Sequence, residues 1–521
     1  MKKILFVSIF GLFVSGVFAQ HQNVLISTSN VPEEPTIYIN PKNTDQIVAG
    51  ANIKNYYYSH DGGYTWNGGI MASSFGVFGD PCIIVDTLGD FYFFHLSSTP
   101  GGSFIDRMVC QKTTDIGVTW SNGTAFGLNG TKAQDKEWAV VDRTNNNIYV
   151  TWTQFDQYGS SNPNHKSIIR FSKSTDGGMT WSEAVKINEV DGDCIDDDNT
   201  VEGAVPAVGP NGEIYVAWAG PEGIVFDRSL DEGETWLDED IFVTDFPGGW
   251  AYSIPGIMRC NGLPITVCDL SGGSNHGTIY INWSDQGNGT NDTDVWLVKS
   301  TDGGDTWSNP IRVNDDPPGK QQFFTWLAVD QVTGYLWFVW YDRRNYDDDN
   351  TDVYMAVSID GGDTFINFKV SESPFLPYSG IFFGDYTNIS VHNNIIRPIW
   401  TRLHSGQLSI LTAIVDPDAV ITAVEEELVQ IPFAELEPNY PNPFIQSTYI
   451  SFKLLQTGTV TLEIFDMYGK KVATLINNEL RNAGKYIEHF DANNYRLSSG
   501  VYYFSLTGEK LNLKRKMMLV N

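Results

Sequence analysis

The chain alternates short runs of β-branched and aromatic residues with clusters of Gly, Asn, Asp and Ser, from one end to the other. Apolar runs this short, bounded by turn-forming residues, predict strands joined by tight turns. Six predicted strands each open a group: 35–39, 81–85, 138–141, 204–208, 254–258 and 326–329. Second strands follow, clearest at 148–153, 214–218, 279–283 and 336–340.

The groups are tied together by a repeat. One octapeptide occurs six times: SHDGGYTW at 59–66, TTDIGVTW at 113–120, STDGGMTW at 174–181, SLDEGETW at 229–236, STDGGDTW at 300–307 and SIDGGDTF at 358–365. Its aspartates are Asp61, Asp115, Asp176, Asp231, Asp302 and Asp360, spaced by 54, 61, 55, 71 and 58 residues. Asp and Ser/Thr side chains bond a turn's own backbone, and Gly supplies positive φ, so each copy predicts a hairpin turn. The final Trp or Phe then starts the next strand.

This octapeptide resembles the Asp box of sialidase-like and BNR-repeat proteins. The resemblance implies an all-β propeller with the boxes on third-to-fourth-strand turns, away from the active face, so the six aspartates are read as structural. After the last box, strands at 386–391, 395–400 and 408–415 form a further group without a box. Residues 24–28 are placed to supply its fourth strand and close the ring, which removes free sheet edges. The expected fold is therefore a seven-bladed propeller over residues 20–415, with six blades as the alternative.

Both ends differ from this middle. Lys2 and Lys3, an apolar stretch at 4–17 and Val17-Phe18-Ala19 read as a signal peptide over 1–19. The stretch is short for a transmembrane helix, and no other segment is apolar enough to span a bilayer, so the mature protein is expected to carry no transmembrane segment. Residues 416–436, with Glu425-Glu426-Glu427, read as a linker. Beyond it, strand-like runs at 448–454, 460–465, 486–490, 501–506 and 516–520 predict a small β-sandwich over 437–521. The motifs NYPNPF, IFDMYGKKV, SSGVYYFSL and KRKMMLV make this end similar to the C-terminal sorting domain of the bacterial type IX secretion system. That resemblance implies the secretion machinery as a partner, and a secreted or surface location in a Gram-negative bacterium.

Charge sharpens the division. The 521 residues carry −30 overall. Residues 437–521 hold ten basic and seven acidic side chains, or +3, and the leader adds +2, leaving −35 on the segment between. Nucleic acid is excluded as a partner, because phosphate binding needs a basic face. A strongly anionic ligand is disfavoured for the same reason. The chain is expected to be a monomer acting on or binding a glycan or glycoconjugate.

Chemistry is expected on long loops at the propeller face opposite the boxes. Asp80, Glu137, Glu202, Tyr252, Trp326, Asp385 and Tyr386 lie at the starts of innermost strands, and converging carboxylates there can shift one another's pKa for acid–base work. Similarity to sialidases implies Tyr386 as nucleophile, Glu202 as its partner and Asp80 as acid/base. It implies Arg259, Arg343 and Arg402 as the substrate-binding arginines, and Tyr252 and Trp326 are taken as further binding residues. The Arg-Ile-Pro motif expected in the first blade is absent; Glu33-Glu34-Pro35 stands there instead, which argues against sialic acid. No cofactor is expected. Calcium is considered at the acidic runs 191–198 and 347–349, although neither has EF-hand spacing. The five cysteines show no zinc spacing and read as mostly free packed thiols, with a 260–268 pairing left open. Two readings follow: an exported glycoside hydrolase of sialidase-like type, or a non-catalytic binding, adhesion or structural surface propeller.

Overall fold

The computed structural model describes residues 21–421, 434–508 and 511–520. The leader at 1–19 lies outside the described residues, as does the linker from 422 to 433. Contacts divide the chain into two compact units that part after Ala419. No helix among the described residues is long and apolar enough to cross a membrane.

The first unit holds seven four-stranded antiparallel sheets of the kind that form propeller blades. Their first strands are Glu33–Ile39, Cys82–Val85, Ala133–Val141, Glu202–Val208, Ile265–Cys268, Gln322–Val329 and Asn388–His392. Consecutive first strands pack side by side, and the last packs against the first. The seventh sheet takes its outer strand, Gln22–Ser27, from the other end of the unit, paired antiparallel with Gln407–Ile414. One expected strand is displaced. Residues 254–258 form the loop of a two-stranded hairpin, Ala251–Tyr252 paired with Cys260–Asn261, and the fifth sheet begins only at Ile265. Pro255 and Gly256, the latter at φ 74, interrupt the apolar run that suggested a strand there.

The second strands carry the largest core side chains. Trp152, Trp218, Trp283, Trp340 and Trp400 recur near their ends, each almost fully buried. A buried indole N–H needs a partner; Trp283 finds Asp285 at 2.7 Å and Trp340 finds Asp342 at 2.8 Å.

Each Asp box closes the turn between third and fourth strands. In the first, Ser59 Oγ donates to Asp61 Oδ1 at 2.8 Å and accepts from Gly63 N at 2.9 Å, while Thr65 donates its backbone N–H and its hydroxyl to Asp61. The same pattern recurs around Asp115, Asp176, Asp231, Asp302 and Asp360. The boxes also join neighbouring sheets. A Cβ on Gly304, at φ 96, would stand 2.3 Å from the Phe226 ring of the preceding sheet, so only glycine fits. Lys173, Arg228 and Lys299 each donate to a carbonyl oxygen in the next box, and Arg397 of the seventh sheet does so to Gly62 of the first.

The second unit is two facing sheets with a shared apolar core that includes Ile450, Phe452, Leu462, Ile464, Phe490 and Phe504. Its strand Lys471–Arg481 escapes the sequence reading because most of its side chains are exposed and its apolar alternation is weak.

Candidate functional site

The starts of the first strands share a backbone device. The pairing register with the second strand slips between Glu33 and Thr36, Asp135 and Trp138, Glu202 and Val205, and Phe323 and Trp326. Within or just before the start of every first strand except the fifth, one residue takes positive φ: Glu34 (50), Asp80 (49), Lys136 (55), Gly203 (78), Phe324 (53) and Gly384 (88). Left-handed conformations cost a non-glycine residue about 1–2 kcal/mol, and bulges of this kind re-aim side chains beside functional sites. Here they gather charged groups from separate sheets.

Lys136 is the hub. Its Nζ lies 2.9 and 3.0 Å from the two Asp385 oxygens, 3.3 Å from Asp80 Oδ2 and 3.8 Å from Glu34 Oε1. Arg259 also binds Asp385 through Nη2, stands 3.9 Å from Glu34 Oε1 and reaches Asp196 Oδ2 at 3.5 Å. Asn52 joins Glu34 to the backbone N–H of Asp80. The Tyr386 ring lies 5.5 Å from Lys136 Nζ and packs on Trp138 and Trp326 at 5.2 and 6.4 Å between ring centroids. Trp138 and Trp326 also line a cavity of about 490 Å³ among the first strands, so the aromatic trio lies between that cavity and the charges.

Burial splits the protonation states. Desolvation, then Asp80, pushes Glu137 well above the usual carboxyl range, and desolvation, then Asp196, does so for Glu202. Glu34 and Asp135 are raised for the same first cause. Glu33 is driven up to about 8 by burial and by Asp80. Asp385 goes the other way: burial opposes its charge, yet Arg259 and Lys136 hold it below the normal value. Among the described residues, neither oxygen of Glu137, nor the Tyr386 hydroxyl, nor Glu202 Oε1 finds a hydrogen-bond partner.

These shifts fix how stability responds to pH. Glu33 keeps its proton up to about 8 when folded but loses it near 4.5 when unfolded, so the folded state binds more protons in that window and stability falls as pH rises through it. The boxes have the opposite sign. Bonds from Thr235 and Thr306 hold Asp231 and Asp302 near 2, so their contribution is present above 3.8 and lost on acidification toward 2. Tm measured from about pH 2 to about pH 9 is expected to peak on the acid side of neutrality; a peak at the alkaline end would contradict this assignment.

Of the residues singled out from sequence, Asp80, Arg259 and Tyr386 meet in this cluster, with Trp326 beneath Tyr386. Glu202 stands beside Asp196 and Asp135. Burial, then Glu34, Asp80, Asp385 and Glu137, raises the Tyr386 hydroxyl above its ordinary range, and that hydroxyl makes no hydrogen bond to Glu202. Arg343 is buried against Thr351, Asp349 and the Phe323 ring. Arg402 lies on the second strand of the seventh sheet, and its Nε makes no hydrogen bond. Tyr252 is turned inward, bonded to Ser284 and the Asn261 carbonyl. Within the acidic runs, Asp191, Asp347 and Asp349 pair with Lys186, Lys320 and Arg343, while Asp196 serves the cluster. All five cysteines are buried and free. Lys136 and Glu34 were not anticipated as site residues. Only the positive φ that recurs at strand starts marks them, and it leaves no common residue type.

Comparison with known proteins finds a secretion system C-terminal sorting domain at residues 439–520 and a BNR/Asp-box repeat at 57–67. The sorting domain marks the chain for secretion or the cell surface of a Gram-negative bacterium of the Bacteroidetes type. The xyloglucanase Xgh74A of Acetivibrio thermocellus is 27% identical over 223 residues, 38% of this chain and 22% of that protein. The match thus spans about a fifth of the relative's length. Similar solved structures include the Hadza microbial sialidase Hz136 (13% identity, TM-score 0.41, covering 72% of this chain and 74% of that one). They also include the NanB sialidase of Streptococcus pneumoniae (9%, 0.44, 72% and 84%) and a PL25 ulvan lyase (14%, 0.46, 75% and 95%).

Proposed function

We propose that this secreted chain is a glycan-cleaving enzyme whose seven sheets form one closed seven-bladed propeller over residues 20–415, preceded by a signal peptide at 1–19. A linker at 416–436 joins it to the sorting domain at 437–521. The observation that carries the reading is the split among the site carboxyls. Burial pushes Glu137 and Glu202 well above the usual carboxyl range, while Arg259 and Lys136 hold Asp385 below it in the same cluster. Paired carboxyls whose environments drive their pKa values apart are what glycoside hydrolysis requires. A carboxyl kept protonated by burial, Glu137 or Glu202, donates a proton to the departing glycosidic oxygen, and water adds to the anomeric carbon, its released proton restoring the acid. The Asp80 carboxylate, more accessible at 13% exposure than Glu34 or Asp385, faces the positive charge developing on the sugar. Tyr386, bedded on two tryptophans, contributes its hydroxyl to the same space.

The substrate class follows from the cations. Lys136 and Arg259 are already matched by Asp385, Asp80, Glu34 and Asp196, and Arg343 by Asp349. Little positive charge is left for a sugar carboxylate, so the substrate is a neutral glycan. Reducing-sugar release by the mature chain is expected from neutral polysaccharides such as xyloglucan, and not from a fluorogenic sialoside. Of Glu137→Gln and Glu202→Gln, the one that removes the proton donor is expected to lower kcat by about 10²–10⁴-fold. Failure to cleave any neutral glycan would overturn the reading.

One observation favours a second reading, glycan binding without turnover. Lys136, Asp385, Glu34, Glu137, Glu202 and Tyr386 are all nearly inaccessible, whereas the Arg259 side chain is 38% exposed. Glycan-array binding without product release is the outcome that would select it.

A further inference from the structure

Away from the propeller face just described, three carboxylates meet where the third and fourth sheets adjoin. Glu189 follows the strand Val185–Lys186 of the third sheet. Asp227 lies within Gly223–Ser229 and Asp240 immediately precedes Ile241–Thr244, both in the fourth. One oxygen of each lies within 4.8 Å of the others. Among the described residues, no Lys, Arg or His forms an ion pair with any of the three, although other buried acids have one, such as Asp294 with Arg312 and Asp352 with Lys369.

Asp227 is the unusual member. It stands two residues before the first residue of an Asp box, where the other box-bearing sheets place Tyr57, Gln111, Ser172, Val298 and Ala356. Gln111 and Ser172 use this position to bond the carbonyls of Ser121 and Ser182. Asp227 does the equivalent with Oδ1, which accepts from the backbone N–H groups of Arg228 and Leu237. An asparagine would serve that purpose equally, so the turn does not account for the charge. The second oxygen, Oδ2, is buried and has no hydrogen-bond partner among the described residues, and the residue is 0% exposed. Asp240 Oδ1 is likewise buried and unpartnered.

We infer that Glu189, Asp227 and Asp240 form a divalent-cation site that takes calcium and fastens the outer strand of the third sheet to the fourth. An all-oxygen ligand set selects a hard cation, and the open side at exposed Glu189 leaves room for the waters that complete a calcium shell. A secreted protein meets calcium at levels that fill the weak sites typical of extracellular modules. The acidic runs at 191–198 and 347–349 are not part of this site.

The test uses the full secreted chain, stripped with EDTA and titrated with calcium chloride by calorimetry, with melting followed in parallel. One equivalent is expected to bind and to raise Tm. Asp227→Asn, which retains the Oδ1 acceptor, and Glu189→Gln, which alters only an exposed side chain, are each expected to weaken binding about tenfold or more. Asp347→Asn is expected to leave it unchanged. Absence of calcium binding, or binding that Glu189→Gln leaves intact, would overturn the assignment even if Asp227→Asn fails to fold. Glycan cleavage does not enter the readout, so this result stands apart from the proposed activity.

Discussion

Lys136→Met is expected to destabilise the folded protein by about 3–5 kcal/mol, the cost of removing one partner from a buried ionic cluster. The methionine fills the same volume, so packing changes little and the loss is electrostatic. Asp385 and Glu34 are each 1% exposed and would keep Arg259 as their remaining cation, itself shared with Asp196. Asp385 is held ionised partly by Lys136, so its proton affinity rises in the variant and the acid–base split of the site collapses. Urea denaturation of the wild type and the variant reads the first effect. A difference below about 1 kcal/mol would mean that the cluster is far better hydrated than its geometry implies.

A second large effect is expected at the aromatic floor. Trp138→Ala removes a ring 4.6 Å from Trp326 and 5.2 Å from Tyr386, from a residue only 4% exposed. Truncating a buried Trp costs about 3–5 kcal/mol, more where the surroundings cannot collapse. Collapse is hindered here because the site already borders a cavity of about 490 Å³. Water entering from that side would reach Glu137 and relieve the desolvation that keeps it neutral. The variant is therefore expected to show both a lower Tm and a flatter fall of Tm as pH rises above the ordinary carboxyl value of 4.5. A lower Tm with an unchanged pH profile would place the cluster outside the influence of this floor.

The two layers of the molecule differ in how much of them the sequence reveals. The box turns are legible because each bond in them needs a particular side chain at a fixed offset: Ser59, Asp61 and Thr65 act on one another within a few residues. The sealing strand was legible too, since the three strands after the last box leave a sheet one strand short. The site is less so. Asp80, Glu137, Glu202, Asp385 and Tyr386 are recognisable from their place at strand starts, but the cation that organises several of them is not. Lys136 looks like an ordinary surface lysine within AQDKEWAVV until the bulge at φ 55 turns it toward Asp385, 249 residues away in sequence. Backbone conformation of this kind accepts Glu34, Asp80, Lys136 and Phe324 alike, so no residue pattern announces it. The displaced fifth sheet has a similar origin: an apolar run at 254–258 is indistinguishable from a strand until the hairpin that it connects, Ala251–Tyr252 with Cys260–Asn261, is known.

The strand Gln22–Ser27 has a consequence for time as well as for shape. Gln22 pairs with Ile414, so the first strand of the unit to be synthesised waits for nearly all the rest before its partner exists. Until then the seventh sheet has an open edge and the early strand a free one, and either can pair with the matching element of a neighbouring copy. Crowded, newly exported chains are thus exposed to reciprocal strand exchange during the interval before the ring shuts. Dilution during refolding is expected to favour the closed monomer over exchanged dimers.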